Sequence, residues 1–121
     1  MVAMALESAF EIEADIELVG TAKLIEEAVA AAGRSRPDVI LLDRRLPDGD
    51  GVDAIGRLHA ASPGTRVLVF TGYATQAIVD RVAAAGGAGL VLKAGSLLDD
   101  LLDTIRSVAA GQDHFDVDLR Q

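Results

Sequence analysis

Cysteine is absent from the 121 residues, which excludes disulfides, thiol catalysis and cysteine-ligated zinc. Histidine is scarce: His59 and His114 lie far apart in sequence, offer no metal-ligand spacing, and read as surface residues. Positive charge is scarce too. Eleven Lys and Arg face 19 Asp and Glu, for a formal net charge of -8, so the surface as a whole repels a phosphate backbone and this segment is not expected to bind DNA itself. No apolar run reaches membrane-spanning length, and the N-terminus lacks the basic region of a secretory signal. A soluble, cytoplasmic protein without a membrane partner is the expectation. What the chain does have is apolar content: half of its residues are hydrophobic, enough for one domain with a real core and too few for two ordinary ones.

That apolar content is organised. Val39 to Leu42, Val67 to Phe70 and Leu90 to Leu92 are short runs rich in branched residues, without the polar alternation of a half-exposed strand. They read as strands covered on both faces. Ile16 to Gly20 alternates more and reads as a strand nearer a sheet edge. Between these runs lie segments of helical period: Leu24, Ile25, Ala28, Val29 and Ala32; Val52, Ile55 and Leu58; Ile78, Val82 and Ala85; and Leu98, Leu101, Ile105 and Val108. Pro37, Pro63, Gly64 and Gly86-Gly87 punctuate the alternation. Strand and helix in alternation argue for right-handed βαβ crossovers and a parallel sheet layered between helices.

The two ends are read separately. Val2, Leu6, Ala9 and Phe10 form a helical stripe, so the chain is expected to open inside a helix with no strand before it. The last helix is expected to stop at Gly111, making residues 1–111 one domain. Residues 112–121, with Asp113, Asp116 and Asp118, read as a frayed end or linker.

Three polar residues close the three apolar strands: Asp43 after Leu42, Thr71 after Phe70 and Lys93 after Leu92. All three should face the carboxyl edge of one sheet, where ligands bind in open α/β folds. A carboxylate, a hydroxyl and an ammonium together suit phosphoryl transfer: the carboxylate attacks phosphorus, the ammonium neutralises charge, and the hydroxyl donates to a phosphoryl oxygen. Gly72 removes a side chain that would crowd the site. The plainer alternative is a loop-capping Asp43, an ordinary Lys93 ion pair and a turn-forming Thr71. Their recurrence at three strand ends favours the functional reading.

With these residues in view, the chain resembles a response-regulator receiver domain of the kind found in LuxR/NarL-type transcription factors. Arg36-Pro37-Asp38-Val39-Ile40-Leu41-Leu42-Asp43 through Pro47 and Asp50-Gly51 is similar to the family's phosphoacceptor segment. Val67-Leu68-Val69-Phe70-Thr71-Gly72-Tyr73 is similar to the switch-threonine strand, and Gly89-Leu90-Val91-Leu92-Lys93 to the lysine strand. The resemblance implies a flavodoxin-like, doubly wound parallel sheet in the order 2-1-3-4-5. It implies Asp43 as phosphoacceptor, Thr71 as switch hydroxyl, Lys93 as phosphate contact, and Mg²⁺ held by Asp43 and the Arg45 backbone carbonyl. It further implies a sensor histidine kinase as partner, a homodimer, and contact with DNA only through a helix-turn-helix output domain reached by the tail. By resemblance this is a signalling domain, not an enzyme.

Two departures accompany the resemblance. The family's first, central strand and the acidic pair that ends it precede the position matching Met1, so the sheet is expected to lack that strand and the Mg²⁺ site to be weak. Asp48 and Asp50 are poor substitutes as ligands. Ile16 to Gly20 closing onto the Val39 strand, or a second chain filling the gap, would re-pair the open edges. Leu90 occupies the position of the family's aromatic switch residue, and Tyr73 reads as loop packing. Two functions therefore stand side by side: a phosphoacceptor whose first strand is lost to a late start codon or truncation, and a degenerate pseudo-receiver serving as a phosphorylation-independent interaction module. A free-standing hydrolase using Asp43 ranks below both, because no general base is visible near the site.

Overall fold

A computed structural model describes residues 2–3, 15–17, 19–93 and 98–116. Its strands are β1 (Val2–Ala3), β2 (Gly20–Thr21), β3 (Val39–Asp43), β4 (Arg45–Leu46), β5 (Gly49–Asp50), β6 (Arg66–Thr71), β7 (Gly89–Leu92) and β8 (His114–Phe115). The helices are α1 (Ile25–Ser35), α2 (Gly51–Ala61), α3 (Gln76–Ala84) and α4 (Leu98–Ala109). Six strands form one sheet in the order β2-β1-β3-β6-β7-β8, all neighbours parallel, while β4 and β5 make a small antiparallel hairpin.

The side-chain period of a strand divides the core in two. Ile40, Leu42, Val67, Val69 and Leu90 point to the face covered by α1, α2 and α3, whose Ala28, Ala32, Ile55, Leu58 and Val82 meet them. Val39, Leu41, Leu68, Phe70 and Val91 point the other way, onto Leu101, Leu102, Ile105 and Val108 of α4. Ile40, Leu42, Leu58 and Leu68 are each fully buried, and such burial contributes roughly 1.5–3 kcal/mol per side chain. The absence of polar alternation in these strands thus has its cause: helices cover both faces.

Several expectations are corrected at the ends. The central position is not vacant, because Val2–Ala3 lies between Gly20–Thr21 and Ile40–Leu41 and pairs with both. Neither closure of the Ile16 to Gly20 segment onto β3 nor a second chain is needed, and the order 2-1-3-4-5 survives in β2-β1-β3-β6-β7. Val2 is a strand residue rather than the start of a helical stripe; Leu6, Ala9 and Phe10 lie outside the described residues. Backbone pairing overrides helical periodicity here because two flanking strands otherwise leave their hydrogen-bonding edges unpaired. The edge strand is Gly20–Thr21, at the very end of the segment read as Ile16 to Gly20.

The C-terminal expectation also shifts. Helix α4 ends at Ala109, but residues 112–116 return to the sheet, and His114–Phe115 pairs with Gly89–Leu90. Phe115 packs against the first core cluster, and Arg66 binds both the Gln112 carbonyl and the Asp113 carboxylate. A Cβ on Gly89 would overlap the His114 carbonyl oxygen, so a glycine is what lets this strand approach so closely. Polar composition concealed a strand whose ladder is mostly main chain. Asp118 and the rest of the tail lie outside the described residues.

Candidate functional site

The carboxyl edge of the sheet is built by neighbouring strands in register. Asp43 is level with Phe70, and Thr71 with Leu92. The Lys93 N–H donates to the Thr71 carbonyl at 2.7 Å, fixing the residue after β7 to the end of β6. The three residues singled out in the sequence therefore converge, and they line one cleft of about 360 Å³ together with Arg44, Arg45, Phe70, Gly72 and Tyr73.

Asp43 and Lys93 meet at 2.8 Å, Oδ1 to Nζ, with the carboxylate mostly buried and the ammonium half exposed. The buried Oδ1 receives no directed hydrogen bond, so charge rather than hydrogen-bond geometry holds this pair. Lys93 also lies over the Phe70 ring, 5.5 Å from its centroid, a distance at which the ring face attracts a cation. Thr71 is 7% exposed. Its hydroxyl donates to the Tyr73 carbonyl at 3.2 Å and accepts from the Tyr73 N–H at 3.4 Å, a local turn rather than a contact with Asp43. Leu90 is fully buried. Tyr73, read as loop packing, is instead half exposed and borders the cleft.

The loop after Asp43 is held from below. The Gly51 N–H donates to the Arg44 carbonyl, and a Cβ on Gly51 would overlap the Asp43 carbonyl oxygen. Asp50 caps α2 through the Val52 N–H at 2.9 Å and faces Arg44 at 3.6 Å and Arg81 at 3.9 Å. Asp48 reaches across to α1, whose N-cap position is Leu24, a side chain without an acceptor. Its carboxylate accepts the Ile25 N–H at 2.8 Å and the Glu26 N–H at 3.2 Å. The Ile25 N–H is the main reason its carboxyl is held below the ordinary value, with Glu26 and Arg57 adding to the effect. Both loop carboxylates are thus engaged in holding helices.

Mg²⁺ binding demands several oxygen ligands in near-octahedral array. Among the described residues no group of three acidic or histidine side chains could hold a metal. Among the described residues Asp43 is the one carboxylate lining the cleft, beside Arg44, Arg45 and Lys93. That described donor set does not fit the ion. Arg45 sits on β4 with its side chain exposed, its backbone level with Asp50. Sequence reasoning passed over Arg44 and Phe70. Arg44 had a signal: a second cation beside Asp43 in a chain with only 11 Lys and Arg.

Comparison with known proteins agrees with this geometry. Residues 1–106 match the family model described as the response regulator receiver domain. The response regulator protein VraR of Staphylococcus aureus is 33% identical over 116 residues, covering 96% of this chain and 55% of VraR. The chain therefore spans about half the length of the curated relatives it matches. Among solved structures, the signal receiver domain of the response regulator NarL from Mycobacterium tuberculosis aligns with a TM-score of 0.80 at 28% identity, covering 87% of this chain and 84% of that one. A LuxR-family two-component response regulator from Aurantimonas sp. SI85-9A1 has the same fold, with a TM-score of 0.80 at 24% identity, covering 93% and 85% of the two chains. Among the described residues no helix is long and apolar enough to cross a membrane. With the sheet order, the strand-end triad and the family match in agreement, the chain belongs to the response regulator receiver domains, of LuxR/NarL type.

Proposed function

We propose that Asp43 accepts a phosphoryl group from the phosphohistidine of a sensor histidine kinase and thereby controls a DNA-binding output domain in the same polypeptide. The observation that carries this reading is the Asp43–Lys93 pair at 2.8 Å, at the carboxyl edge of the sheet, with Thr71 on the strand between them. A carboxylate oxygen attacks phosphorus and forms an acyl phosphate. The P–N bond breaks, and its electron pair stays on the imidazole nitrogen. Lys93 then faces a group carrying more negative charge than the carboxylate it faced before, and remains beside it. Thr71 reaches the phosphoryl oxygen only by leaving Tyr73, at the cost of turn hydrogen bonds worth about 1 kcal/mol each. That exchange gives the loop after β6 two states for phosphorylation to bias.

The polypeptide's DNA contact, its dimerisation and its cytoplasmic location belong to the same proposal. They are supported by likeness to VraR and NarL-type regulators, of whose length this chain spans about half in the case of VraR. One observation favours a second reading, a phosphorylation-independent interaction module: the described cleft offers no donor set for the family's metal. Incubation with acetyl phosphate separates the two. An acid-stable, base-labile adduct that Asp43→Asn abolishes supports phosphotransfer; no adduct in either protein supports the module.

A further inference from the structure

We infer that Asp116, carried just beyond the C-terminal strand β8, is a positioning residue for Lys93 and thereby sets how fast Asp43 is phosphorylated. The inference rests on the phosphoacceptor reading of the cleft and extends it to a segment that reads from the sequence as a frayed end. Its first support is where the Asp116 carboxylate lands. Oδ2 accepts the Leu92 N–H at 3.2 Å, one residue before Lys93. The next N–H along, that of Lys93, donates to the Thr71 carbonyl at 2.7 Å. Successive peptide groups of a strand serve opposite neighbours, so the end of β7 is held from β6 on one side and from the β8 segment on the other. The lysine that leaves this doubly held end meets Asp43 at 2.8 Å, Nζ to Oδ1.

The second support is a change of chemistry along the ladder. The His114 N–H donates to the Ala88 carbonyl at 3.1 Å and the Asp116 N–H to the Leu90 carbonyl at 2.9 Å, main chain to main chain. At the Leu92 N–H, next to Lys93, the acceptor is a side-chain carboxylate instead. An ionised acceptor makes a shorter, stronger bond than a neutral carbonyl. The other carboxylate oxygen, Oδ1, lies 2.9 Å from His114 Nε2, which fixes the orientation of the group. Asp113 is occupied elsewhere: it pairs with Arg66, at the start of β6 and away from Lys93. The two aspartates therefore have separable parts. Asp113 fastens the returning chain, and Asp116 acts on the end of β7.

Two measurements on the whole 121-residue chain test the inference together. One is adduct formation with acetyl phosphate, whose phosphoryl group passes to Asp43 as acetate leaves; the other is amide hydrogen exchange. Asp116→Ala should slow adduct formation about tenfold, the effect of a misplaced charge-neutralising group. It should raise exchange at the Leu92 and Lys93 amides by about the same factor. Asp116→Asn should stay within about threefold of the parent, because its amide oxygen still accepts the Leu92 N–H. Asp113→Ala removes an exposed ion pair of small worth and should leave both readings at the parent level. Gly89→Ala, which displaces β8 with Asp116 intact, should reproduce the slow adduct. Parent adduct rates in Asp116→Ala, or in a Gly89→Ala protein whose His114 exchange has risen, would overturn the inference and leave the phosphoacceptor intact. Equal slowing by Asp113→Ala and Asp116→Ala, or by Asp116→Asn and Asp116→Ala, would overturn it as well, since neither pattern follows from a carboxylate oxygen acting at Leu92. No adduct in the parent chain removes the phosphoacceptor reading and this role with it.

Discussion

Replacing glycine by alanine at two positions of α2 should change stability in opposite directions. Gly56 lies in the helix interior, with nothing within 4 Å of where an added methyl would sit. Gly56→Ala should therefore stabilise by about 0.5–1 kcal/mol, the ordinary helix-propensity gain. Gly51 opens the same helix, but its Cβ would overlap the Asp43 carbonyl oxygen and come within 3.2 Å of Leu42 Cγ. The obstacle is backbone of a central strand, which cannot swing aside. Overpacking there costs about 1–3 kcal/mol, and the helix preference for alanine offsets at most about 1 kcal/mol of it. A net loss of about 1–2 kcal/mol follows. In urea, with a slope near 2 kcal/mol/M, that lowers the midpoint by roughly 0.5–1 M, against a rise of up to about 0.5 M for Gly56→Ala. Gly51→Ala should also slow adduct formation, since relief of the overlap moves Asp43. A neutral or stabilised Gly51→Ala protein would refute the close-approach argument, and with it the account of how Asp43 is held.

Gly89→Ala should push β8 off β7 by overlap with the His114 carbonyl oxygen, and hydrogen exchange at His114 and Asp116 should rise while β3 stays protected. Lys93→Gln should cost the unphosphorylated protein no more than about 1 kcal/mol in denaturant midpoint measurements, because the ammonium is half exposed, yet it should slow adduct formation strongly. Asp48 has a lowered pKa in the folded state, so its contribution is fully present above the ordinary carboxylate value of 3.8 and is lost as pH falls through the lower folded value. Asp48→Asn should accordingly differ from the parent at neutral pH and converge with it in acid unfolding; a constant offset at all pH values would contradict the capping role.

How much of this was legible in the sequence depended on which atoms carried the structure. Side-chain pattern exposed β3, β6 and β7, since strands covered on both faces must be apolar throughout, and it brought Asp43, Thr71 and Lys93 to one edge. Val2–Ala3 and His114–Phe115 were illegible because their pairing is made by main-chain groups, which every residue carries. The role of Asp48 was hidden for another reason: Leu24 at the N-cap lacks an acceptor, and the substitute carboxylate lies 23 residues beyond Ile25, whose N–H it accepts. Arg44 was visible as a charge, but its unpartnered Nε appears only when the loop is folded.

The most direct measurement is the site of the acyl phosphate. After incubation with acetyl phosphate, borohydride reduction converts a phosphorylated aspartate to homoserine, and peptide mass spectrometry locates it. The account predicts homoserine at position 43 alone, and none anywhere in Asp43→Asn. Reduction at another carboxylate such as Asp48 or Asp50, or no reduced residue under any donor and metal condition, would contradict it.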